Sequence, residues 1–295
     1  MKVVSDVRKE SAIRNGLEAL DLIGAGAHAD ISYHSISLFS LYRVRTGEGA
    51  QIAAKLMQSA DMARTEAAGL RALRNAGATV PECYGHHAEG DGAVLFMEFI
   101  PSVSARGSGR GLIESLMRLY SKRGEGWGWH ENNFIGTKIQ KNGMHRSFIE
   151  YFLEDRVRPQ MKEAYDAGKI SRSLMKGVER VVTDRAEAWE LEKTGPRLIH
   201  GDLWGGNILH SGSGRSYLID PSVSYGHPEQ DLSMLDLFGS PIGPAHRDQI
   251  GSAFAMRAGF EERIPYWQIY PLLVHVNIFG GSYLSALERA VRTLE

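Results

Sequence analysis

The stretch RLIHGDLWGGNILHSGSGRSYLIDP, Arg197 to Pro221, limits the possible folds more than any other part of the chain. Its three short apolar runs, RLIH, NILH and SYLID, read as β-strands. They carry His200, Asp202, Asn207 and Asp220 at their ends, where four polar side chains can be neither all core nor random loop. The surrounding sequence is helical in period, with helices expected over Gly111 to Lys122, Ser147 to Ala167, Ser171 to Glu192, Ala245 to Gly259 and Tyr266 to Leu294. A strand-bearing insert among helices excludes a purely helical bundle and an all-β sandwich.

The part upstream of residue 101 reads differently. SLFSLYRVRTGEGAQIAAKLM, from Ser37, gives two strands joined at Thr46-Gly47-Glu48-Gly49, a hairpin turn whose glycines permit positive φ. DMARTEAAGLRALRNAG gives a helix starting near Asp61 and closing at Gly77, with Pro81 preventing its continuation. GAVLFMEFIPSVSA gives a buried strand from Ala93 to Ile100 that breaks into a small-residue segment. A hinge at Glu98 to Pro101 then separates residues 1–100, a sheet with one helix, from residues 101–295, mainly helical. The expected fold class is α+β and bilobal. The 295 residues, 43% hydrophobic, suffice for two such lobes.

Thirty-four basic and 35 acidic residues leave a net charge of −1, so no global field recruits nucleic acid or an anionic membrane. A charged ligand has to be handled locally. Cys83 is the sole cysteine, which excludes an intramolecular disulfide and fits a small buried hydrophobe in a reducing compartment. MKVVSDVRKESAIRNG has no apolar core of signal-peptide length, and the expected location is the cytoplasm.

Asp202 and Asn207 stand five apart in one loop, and Asp220 ends the next hairpin strand. Magnesium takes carboxylate, amide and phosphate oxygens, so Asn207 and Asp220 fit as ligands and Asp202 is left to receive a proton from an attacking hydroxyl. Alone, H-G-D could be a turn with a capping Asp. H-G-D-x-x-x-x-N followed by I-D-P has the layout of the protein-kinase catalytic loop. Lys55, at the end of QIAAK, suits the α/β-phosphates of ATP. Glu66 shares a helix face with Met62, Leu70 and Leu73, where a carboxylate needs a cation, and Lys55 can supply it.

With HGDLWGGN, LIDPSVSYGHPEQDLSMLDLFG, TEAAGLRAL, NNFIGTKIQKNG and IYPLLVHVNIFGGSY, the chain resembles the fructosamine kinase (ketosamine-3-kinase) family, a branch of the aminoglycoside-phosphotransferase and protein-kinase-like superfamily. The likeness runs from about Ser37 to near the C-terminus. It implies Asp202 as catalytic base, Asn207 and Asp220 as Mg²⁺ ligands, Lys55 with Glu66 as phosphate anchor, Met97 as gatekeeper, and the backbone of Glu98, Phe99 and Ile100 at the adenine edge. Where the family has a Gly-Gly pair in the phosphate-covering loop, this chain reads His34-Ser35-Ile36-Ser37. Ser35 and Ser37 hydroxyls can take over the phosphate contacts, and the upstream GAGAHAD, Gly24 to Asp30, is the alternative loop. His227-Pro228 replaces a more usual Asp-Arg pair.

The implied reaction is transfer of phosphate from ATP to the sugar 3-hydroxyl of a ketoamine, free or on a lysine side chain, after which the adduct can eliminate phosphate and release the amine. Trp204 and His200 are expected to face the sugar. Two other readings stand beside it: a kinase for an aminoglycoside- or choline-like hydroxylated amine, and a nucleotide-binding pseudokinase.

Overall fold

The hairpin expected around residues 46–49 forms: Gly49, at φ 87°, donates to the Thr46 carbonyl (2.9 Å), and Thr46 donates to that of Ala50 (3.0 Å). The computed structural model describes residues 6–103 and 109–295, apart from the side chains of Asp6, Val7 and Ile36. The small-residue segment expected after Pro101 falls largely on residues 104–108, outside the described residues.

Helix α1 (Asp6–Ala19) precedes a sheet of β1 (Ala29–Ile36), β2 (Ser40–Thr46), β3 (Gln51–Met57), β4 (Cys83–Glu89) and β5 (Gly92–Glu98), with helix α2 (Ala60–Asn75) between β3 and β4. The strands are ordered β1-β2-β3-β5-β4 and every neighbouring pair is antiparallel. The sheet begins at Ala29 rather than Ser37, because ADISYHSI pairs with β2 as an edge strand whose Tyr33 and His34 stay exposed. Alternation along β3 and β5 sorts side chains onto two faces. Ile52, Ala54, Val94 and Phe96 pack outward with Ile13 and Leu17 of α1, which was not expected, while Ala53, Leu95 and Met97 pack inward with α2.

The remainder holds helix α3 (Arg110–Ser121), short strands β6 (Trp127–Gly128), β7 (Asn133–Ile135), β8 (Lys138–Gln140) and β9 (Met144–His145), and helix α4 (Phe148–Tyr151), which runs through a π-helical turn at Phe152–Val157 into α5 (Arg158–Asp166). After α6 (Arg172–Ala188) come β10 (Arg197–Ile199), β11 (Ile208–His210), β12 (Ser216–Leu218), β13 (Ser224–Gly226), α7 (Glu229–Leu237), α8 (Pro244–Ala253), α9 (Phe260–Phe279) and α10 (Leu284–Leu294). The single helix expected from Tyr266 to Leu294 is two, broken at Gly280, whose φ of 87° is incompatible with helix continuation.

The inner face of the sheet does not end at the hinge. One buried cluster runs from Met57, Leu70 and Leu95 through Leu112 and Leu116 of α3 to Leu198, Leu203 and Leu218 around the β11–β12 hairpin. A second cluster, built on Phe148, Phe152, Tyr266, Trp267 and Leu273, holds the helices together. No described helix is long and apolar enough to cross a membrane.

Candidate active site

Lys55 sits inside β3, opposite Leu41 of β2 and Leu95 of β5, rather than at the strand's end. Its alternation points it at α2. Ser59 caps that helix by accepting from the Met62 N–H, and the phase so fixed brings both Glu66 oxygens to the ammonium, at 2.8 and 2.7 Å. Asp220 Oδ1 lies 3.0 Å from the same nitrogen. Burial alone would pull the Lys55 pKa down, but Asp220 and Glu66 outweigh it and hold the amine charged. Burial pushes the Glu66 carboxyl up, to about 7, against the pull of Lys55. Asp220 reaches its place from a left-handed backbone, φ 56°, a conformation that non-glycine residues hold where surrounding structure enforces it.

The loop that carries Asp202 follows β10. Gly201 has φ 82°, and a Cβ there would lie 2.0 Å from the Ser222 carbonyl oxygen, so this backbone crossing requires glycine. Asp231, in the first turn of α7, accepts from the backbone N–H groups of His200 and Gly201, each at 2.8 Å, and from the Tyr120 hydroxyl at 3.1 Å. His200 is fully buried. Its Nε2 donates to the Ile219 carbonyl (3.0 Å) and its Nδ1 accepts from the Asp202 N–H (3.3 Å), while burial drops its pKa to about 4. His200 therefore braces the loop and lines neither of the cavities described below, so the expected contact with the sugar is corrected: both ring nitrogens are already engaged. Asn207 Nδ2 donates to the Asp202 carbonyl (2.8 Å) and to Asp202 Oδ2 (3.2 Å). Burial, reinforced by Asp220, raises the Asp202 pKa to about 7.

Two cavities meet over these residues. One, of about 260 Å³, lies against the hinge and is lined by Ser35, Ala53, Met97, Glu98, Phe99 and Ile100 among others. The second, of about 320 Å³, reaches Asp202, Asn133 and α9. Ser37, Phe39, Lys55, Trp204, Asn207 and Asp220 line both. At the hinge, Glu98 N–H is taken by the Glu82 carbonyl (2.8 Å) and Phe99 N–H by that of Gln51 (3.3 Å). Ser37 stands in the tight turn between β1 and β2, and Ser35 near the end of β1. Gly24 to Asp30 leads into the other end of β1, where Ala29 pairs with Thr46, and lines neither cavity. The alternative phosphate loop is thereby set aside. The Trp204 ring lies flat over Gly206, where any Cβ would stand 2.1 Å from it.

The donor set suits a hard divalent cation. Asn207 spends its amide N–H groups on Asp202, which leaves its Oδ1 free, and the Asp220 carboxylate is only partly exposed. One amide oxygen and one carboxylate leave most of an octahedral shell to phosphates and water. Three contributions escaped the sequence reading. Asp231 anchors the loop; its signal was the acidic pair in PEQD. Asn133 lines the second cavity and donates to the Val223 carbonyl (2.9 Å); its signal was NNFIG. The α9 wall lies within IYPLLVHVNIFGGSY, which carried the family likeness but gave its residues no place at the site. His227, by contrast, lines neither cavity at the reaction centre: it is buried against Trp267 with ring centroids 4.8 Å apart, so the departure from Asp-Arg is one of packing.

Comparison with known proteins agrees with this fold. The chain is 34% identical over 224 residues to a probable ketoamine kinase of Enterococcus faecium, covering 76% of this chain and 79% of that one. It is 32% identical over 197 residues to the chloroplastic protein-ribulosamine 3-kinase of Arabidopsis thaliana, covering 66% of this chain and 60% of that longer relative. A crystallised candidate fructosamine-3-kinase of Thermobifida fusca superposes with a TM-score of 0.81 at 29% identity, over 91% of this chain and 94% of that one. An aminoglycoside phosphotransferase solved with ADP and hygromycin B shares the fold alone, with a TM-score of 0.61 at 12% identity over 90% of this chain and 94% of that one. The family model for fructosamine kinase matches residues 40–295, nearly the whole chain and every residue that surrounds the two cavities except the end of β1 and its turn: the chain belongs to the fructosamine kinase family.

Proposed function

We propose that this protein transfers the γ-phosphate of ATP to the 3-hydroxyl of a ketoamine. The observation that carries the reading is the junction of the cavities: Lys55, Asn207 and Asp220 face both, and Asp202 faces the second. A donor on one side and an acceptor on the other would meet there in line.

In this reading adenine lies against Met97, and the Glu98 carbonyl and Ile100 N–H are the hinge groups left for its edge. Lys55, braced by Glu66, holds the phosphates, with the Ser35 and Ser37 hydroxyls above them. Asn207 Oδ1 and Asp220 would hold Mg²⁺, which supplies charge neutralisation at the phosphates when bound. Asp202 orients the 3-hydroxyl and takes its proton as the oxygen bonds to the γ-phosphorus and ADP departs. Trp204 forms a face for the sugar carbons. Trp204, 37% exposed, stands at an open mouth that admits either a small amine or the lysine side chain of a glycated protein.

The test is ATP turnover with fructosamine, ribulosamine, an aminoglycoside and choline, by wild type and Asp202→Asn. A ketoamine should be phosphorylated at C3, and Asp202→Asn should cut kcat by about 10²–10⁴-fold with nucleotide affinity retained. Transfer by the variant within a few-fold of wild type would remove Asp202 as the base. Turnover confined to choline or the aminoglycoside would overturn the substrate class.

A further inference from the structure

Beyond the reacting groups, the second cavity continues along α9 as an unbroken line of rings. Trp204 meets Phe238 at a centroid distance of 5.7 Å, Phe238 meets His275 at 5.3 Å, and His275 meets Phe279 at 5.5 Å. Phe238 and Phe279 are 43% and 52% exposed. Packing between α9 and α10 does not require that exposure, and contiguous exposed apolar surface of this kind marks a binding region. The wall is continuous with the site itself, since Trp204, His275 and Phe279 line the same cavity as Asp202, and Val274 and Ile278 extend it.

The wall is also uncharged. His275 Nδ1 lies 2.7 Å from the Pro271 carbonyl, which can only accept, so Nδ1 carries a proton. Burial lowers the pKa of this imidazole, against the pull of the Pro271 carbonyl, and so favours its neutral form. Among the described residues, the Lys, Arg, Asp and Glu side chains lining the cavity are Lys55, Glu66, Asp202 and Asp220, all gathered at the reaction centre. A charged group carried on the amine of a substrate would meet no partner along α9, and whatever water it sheds against these rings would go uncompensated.

With the sugar 3-hydroxyl at Asp202 and the nucleotide beyond Lys55, the amine substituent leaves through the open mouth, past these rings. We infer that the Trp204–Phe238–His275–Phe279 wall selects ketoamines whose amine bears an aryl or bulky alkyl group over those whose amine belongs to a free, zwitterionic amino acid. The inference rests on the ketoamine reading above.

The experiment compares kcat/KM for the fructose adducts of benzylamine and of glycine, with choline as a control, in wild type, Phe279→Ala and Phe238→Ala. The benzylamine adduct should be favoured by at least about tenfold, mostly through KM, the scale on which an apolar pocket discriminates. Each variant should shrink that ratio several-fold. Equal use of the two adducts by wild type, or a ratio that neither variant moves, overturns the inference while leaving ketoamine phosphorylation standing. Absence of turnover with both adducts, with choline consumed, removes the ketoamine reading and the inference with it. The wild-type ratio decides the matter even should a variant fail to fold.

Discussion

His227 Nδ1 accepts from the Glu229 N–H (3.2 Å) at the start of α7, and its Nε2 donates to Thr194 Oγ1 (3.0 Å), so the ring is neutral with both nitrogens engaged. Burial first, with Arg263 and Arg197 adding to it against Glu229, drops its pKa to about 4. In the unfolded chain an imidazole titrates near 6.5. Between pH 6.5 and 4 the unfolded state therefore binds the extra proton, and this residue's contribution to stability falls as pH falls through that window. At pH 5 the loss is about 2 kcal/mol relative to pH 7.5. His227→Gln is expected to be less stable at pH 7.5 and to close the gap on wild type by about that amount at pH 5, as read from urea midpoints. Parallel midpoints at the two pH values would mean that the imidazole accepts its proton in the folded state. At this scale the sequence was legible where spacing is local, as with Asp202 and Asn207 in one loop. His200 was not, because only the Ile219 carbonyl, 19 residues away, shows that its ring faces inward.

The pairing of β3 with α2 through Lys55 and Glu66 could be read from helix phase, since one face of a single helix carried both the carboxylate and its apolar neighbours. Removing either partner strands the other in a buried place. Lys55→Ala and Glu66→Ala should each reduce kcat/KM, and the double variant should lose much less than the product of the two. The coupling expected is of the order of 0.5–3 kcal/mol, measured by a kinetic double-mutant cycle. Fully multiplicative losses would separate the two residues. The π-helical turn between α4 and α5 shows what periodicity misses. It turns Arg156 inward over the Tyr151 ring at 4.7 Å, with its guanidinium bound to the Lys141 carbonyl and Asn142 Oδ1. Asn142 and Gln140 in turn donate to Asn133 Oδ1. A buried arginine has no apolar signature, and its partners come from a separate hairpin. The same limit hid β1, whose polar, exposed residues give an edge strand little alternation to read.

On the scale of the whole molecule, the two lobes share an interior. Leu70, almost wholly buried, belongs to the cluster that extends to Leu198 and Leu203 beside the catalytic loop. All five tryptophans lie beyond residue 101, so their fluorescence reports the larger lobe. Leu70→Ala should lower the unfolding free energy seen by tryptophan fluorescence by about 2–5 kcal/mol in a single transition. A fluorescence transition unmoved by this change would show lobes that unfold separately. The order of sheet first and helices after was legible from the change of period along the chain, but the wall along α9 was not, because it joins side chains from residues 204 to 279 that no window of sequence holds together. Helix α1 has a practical bearing of its own. The family match starts at residue 40, and a polypeptide trimmed to that start would lose both α1 and β1. Val44, Ile52, Val94 and Phe96 would then face solvent as a bare apolar sheet next to an unpaired β2 edge, the combination that drives intermolecular strand pairing. Recombinant production of this enzyme should therefore keep everything from Asp6 onward, and inclusion bodies from the shorter version would reflect a missing cover rather than a defective catalytic lobe.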